Sequence, residues 1–167
     1  MNVRLLHRVR RKIAARPERF CAAHWAFARN KRAVLDAGAR PDGFRCCIAG
    51  HVLLEGTGYD EKSLLCEGGF HDPGNLWQRA AEAAGLSTDE RNELFFPSQW
   101  DAPFKKDYYL SGSDEEAGVC ADYIAHFLGK HAPDWAPDRP PLAGVVPDAG
   151  RVPAGKHVAE KAEKRAA

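Results

Sequence analysis

Residues 46–55, with the sequence CCIAGHVLLE, combine a continuous apolar run with two thiols and an imidazole. A run that is apolar on all sides is typical of a helix buried in the middle of a domain. Gly56 and Gly58 follow it, and glycine readily adopts the left-handed conformation that ends a helix. We therefore predict a central helix that begins at Cys46 and ends near Glu55. Its small residues are expected to let it pack closely against its neighbours.

The first sixteen residues predict an amphipathic helix that Pro17 ends. One face is apolar and consists of Leu5, Leu6, Val9 and Ile13. The other face is basic and consists of Arg4, Arg8, Arg11 and Lys12. Organelle transit peptides are also arginine-rich amphipathic helices, but they are usually rich in serine and this segment contains no serine. We expect the basic face to contact an acidic protein surface or nucleic acid.

The net charge of +1 conceals an uneven distribution along the chain. Residues 1–32 carry ten basic and one acidic side chain, whereas residues 33–132 carry eight basic and seventeen acidic side chains. The first segment therefore carries a net charge of +9 and the second a net charge of −9. Opposite charges attract each other and guide association. The basic segment is therefore also expected to dock on the acidic region of its own chain or of a second copy, which would produce a homo-oligomer.

Two further helices are predicted by apolar spacing and by residues that cap helix ends. The apolar positions of residues 76–84 indicate one helix, which Gly85 ends. Ser87 and Glu90 have the spacing of a capping box, in which each side chain bonds the other's backbone amide. They predict a second, short helix that reaches about Phe96.

Ser113 and Glu116 have the same spacing and predict a last helix that ends near Gly129. Its apolar stripe consists of Ala117, Cys120, Ile124, Phe127 and Leu128. Between the helices, residues 68–74 predict a glycine-containing loop. Residues 95–109 hold six of the sixteen aromatic side chains among prolines and charges, which predicts an irregular aromatic loop packed over the core.

These elements predict an all-α fold, a single compact bundle of four or five helices over residues 1–132. Six prolines follow, so residues 133–167 are predicted to be a Pro-rich linker and charged tail. No stretch approaches the roughly 20 apolar residues that a bilayer requires, so no membrane contact is expected. The five cysteines follow no disulfide framework, which indicates a reducing cytoplasm.

Thiols and imidazoles also bind soft metal ions, which gives the cysteines an alternative role. Cys47 and His51 lie four residues apart, and Cys66 and His71 follow one loop later. Two thiolates and two imidazoles would complete a tetrahedral zinc site. The spacing lacks the Cys-x-x-Cys pair of common zinc motifs, and a domain of this size has enough core to fold without metal. We therefore expect no cofactor and keep zinc at these four residues as the alternative.

A cysteine-dependent enzyme is the third hypothesis. A thiol at the start of a helix is stabilised as thiolate by the helix dipole, and His24, His51 or His71 could act as its base. Thiol hydrolases hold that base on strands, and the chain has little strand pattern. We therefore favour a protein that is not an enzyme.

A spaced pattern joins four parts of the chain: segment 47–51 (CIAGH), segment 80–86, the pair Leu94 and Phe95, and Trp100. This pattern resembles an uncharacterised group of small helical proteins from bacteria and phages. The resemblance covers roughly residues 1–130. It implies a helical domain that includes the first helix, and it implies no reaction and no catalytic residues. We predict a small binding or regulatory protein that uses its basic face.

Overall fold

The computed structural model describes residues 1–30, 41–70 and 73–135, and for 67–70 and 73–75 it describes the backbone alone. The described residues form seven α-helices and one two-stranded sheet, in the order α1 (Val3–Ala15), β1 (Ala26–Phe27), β2 (Arg45–Cys46), α2 (Ile48–Gly56), α3 (Glu61–Phe70), α4 (Pro73–Ala84), α5 (Thr88–Phe95), α6 (Ala102–Leu110) and α7 (Glu116–His131). Short 3₁₀ turns lie at Pro17–Arg19 and Pro97–Gln99.

The mostly helical architecture agrees with the predicted all-α class, although it has more helices than the four or five expected. The chain divides into a compact unit, Met1–Trp135, and the remaining residues. The predicted Pro-rich tail lies outside the described residues from position 136 onward. In the described segments, each helix is too short or too polar to cross a bilayer.

The first helix forms where the sequence predicts it. Its predicted apolar face is buried completely, at Leu5, Leu6, Val9 and Ile13. At its start, the side chain of Asn2 accepts a hydrogen bond from the backbone N–H of Leu5 at 3.1 Å. The buried face packs against α7 and α2. Each buried aliphatic side chain contributes about 1.5–3 kcal/mol to the hydrophobic free energy of folding, so this helix is an integral part of the core.

The last helix, α7, also has its predicted apolar stripe buried along its whole length. The prediction of a capping box at the start of α7 was wrong. Ser113 lies in a turn before the helix, and its hydroxyl bonds the carboxylate of Asp114 at 3.4 Å. The helix begins at Glu116 and continues two residues past Gly129, which has no positive φ and so does not end it.

The connection from α4 to α5 follows its sequence signals. Gly85 has a φ of 60°, the left-handed conformation predicted for the end of α4. Beyond it, the Ser87 hydroxyl accepts from the backbone N–H of Glu90 at 3.2 Å, and the Glu90 carboxylate accepts from the backbone N–H of Ser87 at 2.7 Å. The predicted capping box is therefore confirmed.

Two predicted loops are helical where the structure describes them. In the predicted loop at 68–74, residues 68–70 end α3 and 73–74 begin α4, while 71–72 lie outside the described residues, and α6 occupies much of the predicted aromatic loop. Residues 68–69 lie inside α3 although both are glycines, because Leu64 and Leu65 anchor that helix in the core. In α6, Pro103 lies in the first turn, where a missing backbone N–H breaks no helical hydrogen bond. The glycine-containing loop and the aromatic loop were thus wrong predictions, because residues that often interrupt helices here lie inside or begin them.

Most of the aromatic side chains near α6 pack in or against the core, as predicted, whereas Tyr109 is exposed. The ring of Trp100 stacks on Tyr123 of α7 at 4.1 Å between centroids and meets the edge of Tyr108 at 5.4 Å. The indole N–H of Trp100 donates to the carbonyl of Leu94 at 3.4 Å. These contacts join α5, α6 and α7.

The central helix differs from its prediction at its start. Cys46 lies in strand β2 and is bridged to Phe20, so α2 begins only at Ile48. Close packing was predicted correctly. A Cβ at Gly50 would lie 2.7 Å from the Trp25 carbonyl oxygen, a distance that real Cβ atoms essentially never show. Only glycine fits here without a shift of the backbone.

Candidate functional site

The basic face of α1 lies on the outside of the domain. All four of its residues are exposed, at Arg4, Arg8, Arg11 and Lys12. The helix itself contains no acidic residue. From Arg4 to Lys12 the row extends about 12 Å, at a rise of 1.5 Å per residue. Because the opposite face is fixed in the core, the row has a defined position on the surface.

Glu55, near the end of α2, binds two members of the basic face. Its carboxylate lies 3.5 Å from the Arg8 guanidinium and 3.5 Å from the Lys12 ammonium. A guanidinium N–H of Arg8 also donates to the backbone carbonyl of Glu55 at 3.1 Å. Within the described segments, Arg4 and Arg11 make no ion pair. The basic segment thus touches the acidic region of its own chain at one end, and the rest of the row stays open.

The four residues predicted as zinc ligands lie in different surroundings. Cys47 precedes α2, His51 is buried within it, and Cys66 is exposed on α3. His71 lies outside the described residues. Among the residues that the structure describes, no group of three or more His, Cys, Asp or Glu side chains could hold a metal ion.

The buried thiols are held in their protonated form. Burial raises the pKa of Cys47 to about 11, although backbone amides at the start of α2 act in the opposite direction. Burial also raises the pKa of Cys46 and of Cys120. A nucleophilic cysteine needs a lowered pKa, so these values support a packing role. By accessible surface, Cys21 and Cys47 are half-buried, and Cys66 is exposed.

His51 has an unusual environment for a polar side chain. It is only 7% exposed, and its ring stacks on Phe20 at 6.2 Å. Burial, followed by the positive charges of Arg19 and Lys12, lowers the pKa of His51 to about 4, whereas a hydrogen bond to the Arg19 backbone acts in the opposite direction. Nε2 is buried without a hydrogen-bond partner in the described part of the chain. With the ring proton assigned to the other nitrogen, on which the Arg19 backbone acts, Nε2 is a free acceptor.

His51 also lines an open pocket of about 420 Å³, to which the end of α1, α2 and the start of α3 contribute. The lining is mostly charged. Arg19 forms an ion pair with Glu61, and Arg16 has no partner among the described residues. No sequence pattern marks Arg16, Arg19 and Glu61 as a group, because they lie in separate segments and only folding brings them to one pocket. We call this the His51 pocket.

A second cluster of charged groups joins α5 to α7. Glu93 bonds Lys130 at 2.8 Å and His131 at 3.0 Å. Although partial burial alone would raise the pKa of Glu93, these hydrogen bonds hold it below its ordinary value. Nearby, His126 contacts Asp101 at 2.7 Å. These contacts hold the end of α7 in place and surround no pocket described above, so we interpret them as structural.

Comparison with known proteins adds no relative from which roles could be transferred. No protein family model, no curated protein and no solved structure matches the chain. The basic face and the His51 pocket are therefore interpreted from their own geometry.

Proposed function

We propose that the protein is a non-enzymatic binding or regulatory protein that contacts nucleic acid through the basic face of α1. The observation that carries this proposal is the row of four exposed cations on a helix that contains no acidic residue. Three of the four are arginines, and a guanidinium matches the oxygens of a phosphate with two parallel hydrogen bonds. The buried face keeps the row in place, so binding would not require the backbone to become ordered.

The shape of the row favours nucleic acid over an acidic protein surface. The cations form a band that extends about 12 Å along the helix axis and about 100° around it. A nucleic acid strand carries one phosphate charge per 3.4 Å or so of axis, so a band of this length can contact several phosphates at once. An acidic protein surface presents separate carboxylates at irregular distances, and it remains the alternative outcome of the test.

Fluorescence anisotropy with labelled duplex DNA and single-stranded RNA tests the proposal at two salt concentrations. If the four cations neutralise four phosphates, affinity for the duplex should fall about 100-fold between about 50 and 200 mM salt. Absence of binding to either nucleic acid at low salt would refute the proposal. Binding to polyglutamate under the same conditions would then favour the acidic protein surface.

Charge substitutions locate the contact on the protein. The double variant Arg4→Gln/Arg11→Gln should reduce the slope of log affinity against log salt by about 2. The double variant Lys105→Gln/Lys106→Gln removes the same charge from exposed positions on α6 and serves as the control. If both variants change the slope equally, overall charge accounts for binding and the basic face does not.

Glu55 provides a change in the opposite direction. Its carboxylate holds Arg8 and Lys12, so Glu55→Gln frees Lys12 and removes a negative charge beside both cations, while Arg8 keeps its bond to the backbone carbonyl. We expect tighter binding and a steeper salt dependence. Unchanged affinity would show that this end of the row does not touch the nucleic acid.

A further inference from the structure

The free nitrogen of His51 is the first sign that its pocket binds something. Buried polar atoms nearly always have a hydrogen-bond partner, and Nε2 has none in the described part of the chain. Because Nε2 is an acceptor, a ligand that bonds it must supply an N–H or O–H donor. Nε2 is covered in this structure, and the charges of Lys12 and Arg19 act on the ring. A ligand must therefore displace a neighbouring side chain to reach Nε2, and Lys12 and Arg19 are long side chains of the same lining that can move.

The charges of the pocket show which kind of molecule it fits. Four basic and three acidic side chains line it, and Arg8 shares Glu55 with Lys12 at the edge. With Arg8 included, basic groups outnumber acidic groups by two, which matches a phosphate monoester with its charge of nearly two at neutral pH. Lys12 and Arg16 lie one helical turn apart at the end of α1, where both can reach one phosphate.

The size and the remaining lining fit a nucleotide. A volume of about 420 Å³ lies within the range of small-molecule sites. Leu54 and Pro41 supply apolar surface, and the carboxylates of Glu55 and Glu61 can accept hydrogen bonds from hydroxyl groups.

We propose that the His51 pocket binds a small phosphate monoester that carries amino and hydroxyl donors, of the size of a nucleoside monophosphate. The phosphate contacts Arg16 and Lys12, and an amino group of the base donates to His51 Nε2. This site shares Lys12 with the contact proposed for nucleic acid, but it includes neither Arg4 nor Arg11, so substitutions at those two residues test the two contacts independently.

Isothermal titration calorimetry of the full chain with adenosine 5′-monophosphate tests the proposal. We expect saturable binding, and we expect adenosine and inorganic phosphate to bind at least about tenfold more weakly, because each lacks one set of contacts. Absence of saturable binding of the monophosphate, or equal affinity for inorganic phosphate, would overturn the proposal.

Two substitutions place the nucleotide in the pocket. His51→Phe keeps an aromatic ring beside Phe20 and should weaken binding about fivefold, the loss of one neutral hydrogen bond. Arg16→Gln lies on the surface, where it leaves folding intact, and should weaken binding at least about tenfold. Arg4→Gln is the control and should leave the affinity unchanged. Normal affinity in the Arg16 variant would rule out this pocket.

A spectroscopic measurement reports on the nitrogen directly. In the free protein, a long-range ¹H–¹⁵N spectrum should show Nε2 of His51 as the unprotonated ring nitrogen. Saturation with adenosine 5′-monophosphate should move that resonance toward lower frequency, as expected for a nitrogen that accepts a hydrogen bond. An unchanged resonance at saturation would overturn the assigned contact. Neither result depends on nucleic acid binding, so the two proposals fail separately.

Discussion

The buried, neutral His51 should make the stability of the protein depend on pH in a defined window. The pKa of His51 is about 4 in the folded protein, compared with its ordinary value of 6.5. Below about 6.5 the unfolded chain takes up a proton on this ring, and the folded protein does not do so until about pH 4. Acid therefore favours unfolding across this window, and the full contribution of His51 is present above it.

The size of the effect follows from the two pKa values. Acidification from about pH 7.5 to pH 5 should lower the free energy of unfolding by about 2 kcal/mol through His51 alone, and by about 3 kcal/mol at pH 4. Burial is the main cause, and Arg19 and Lys12 act in the same direction because they repel a second positive charge. A loss of this size is a substantial part of the stability of a typical domain.

Urea denaturation followed by tryptophan fluorescence, at about pH 7.5 and pH 5, measures this loss. Other groups also titrate between these values, so the comparison is between variants. His51→Phe should lose about 2 kcal/mol less than the wild-type protein over the same interval. His24→Gln changes an exposed histidine and should behave as wild type. If His51→Phe and the wild type lose equal stability, the burial and neutrality assigned to His51 are wrong.

Three further predictions concern packing, thiols and the charged cluster. Gly50→Ala should lower the free energy of unfolding by about 1–3 kcal/mol, because the added methyl group collides with the Trp25 backbone. Gly118→Ala places its methyl group in open space and should raise the free energy of unfolding by up to about 1 kcal/mol. Equal shifts of the two variants in thermal melts would contradict this. Ellman's reagent should react with Cys66 first and with the half-buried Cys21 next, and it should react slowly with the half-buried Cys47, whose pKa is raised. Rapid reaction of Cys46 or Cys120 would contradict the burial described. Glu93→Gln should lower the free energy of unfolding by about 1 kcal/mol at neutral pH. This loss should shrink as pH falls below 4.5, because a carboxylate with a lowered pKa stabilises the fold only while it is ionised. A difference between variant and wild type that does not change with pH in urea denaturation would disprove the prediction.

The elements that the sequence predicts well are those in which one face is uniformly apolar or a cap has a fixed spacing. The stripe from Leu5 to Ile13 and the stripe of α7 are buried as predicted, because helical periodicity reports directly on burial. The capping box at Ser87 depends on local atoms alone. The similar spacing at Ser113 forms no capping box, since the Ser113 hydroxyl bonds Asp114 and α7 begins only at Glu116.

The missed helices show the limit of local signals. In α6 no residue is fully buried, so its apolar pattern is weak, and Pro103 was interpreted as a helix breaker although it lies in a first turn. In α3 the helix depends on the burial of Leu64 and Leu65, which follows from contacts distant in sequence. Helix propensity is a weak guide where tertiary packing decides.

One of the two candidate sites could be predicted from the sequence, and the other could not. The basic face follows from the sequence, since exposure of one side of α1 is implied by burial of the other. The His51 pocket does not, because Arg19 reaches the ring from the 3₁₀ turn after α1 and pairs with Glu61 of α3. The sequence identifies His51 as chemically interesting, but its free nitrogen is visible only in the fold.

The two proposed sites share charged groups and should therefore influence each other. Lys12 belongs to both the basic face and the pocket lining, and Glu55 holds it together with Arg8. A phosphate in the pocket draws Lys12 inward and leaves fewer positive charges for nucleic acid, so each ligand should weaken the other. Coupling of binding free energies is reciprocal, and the factor by which the mononucleotide weakens nucleic acid must equal the factor in the opposite direction. Anisotropy with saturating adenosine 5′-monophosphate measures it, and Lys12→Gln should reduce it; equal coupling in that variant would show that Lys12 does not connect the sites.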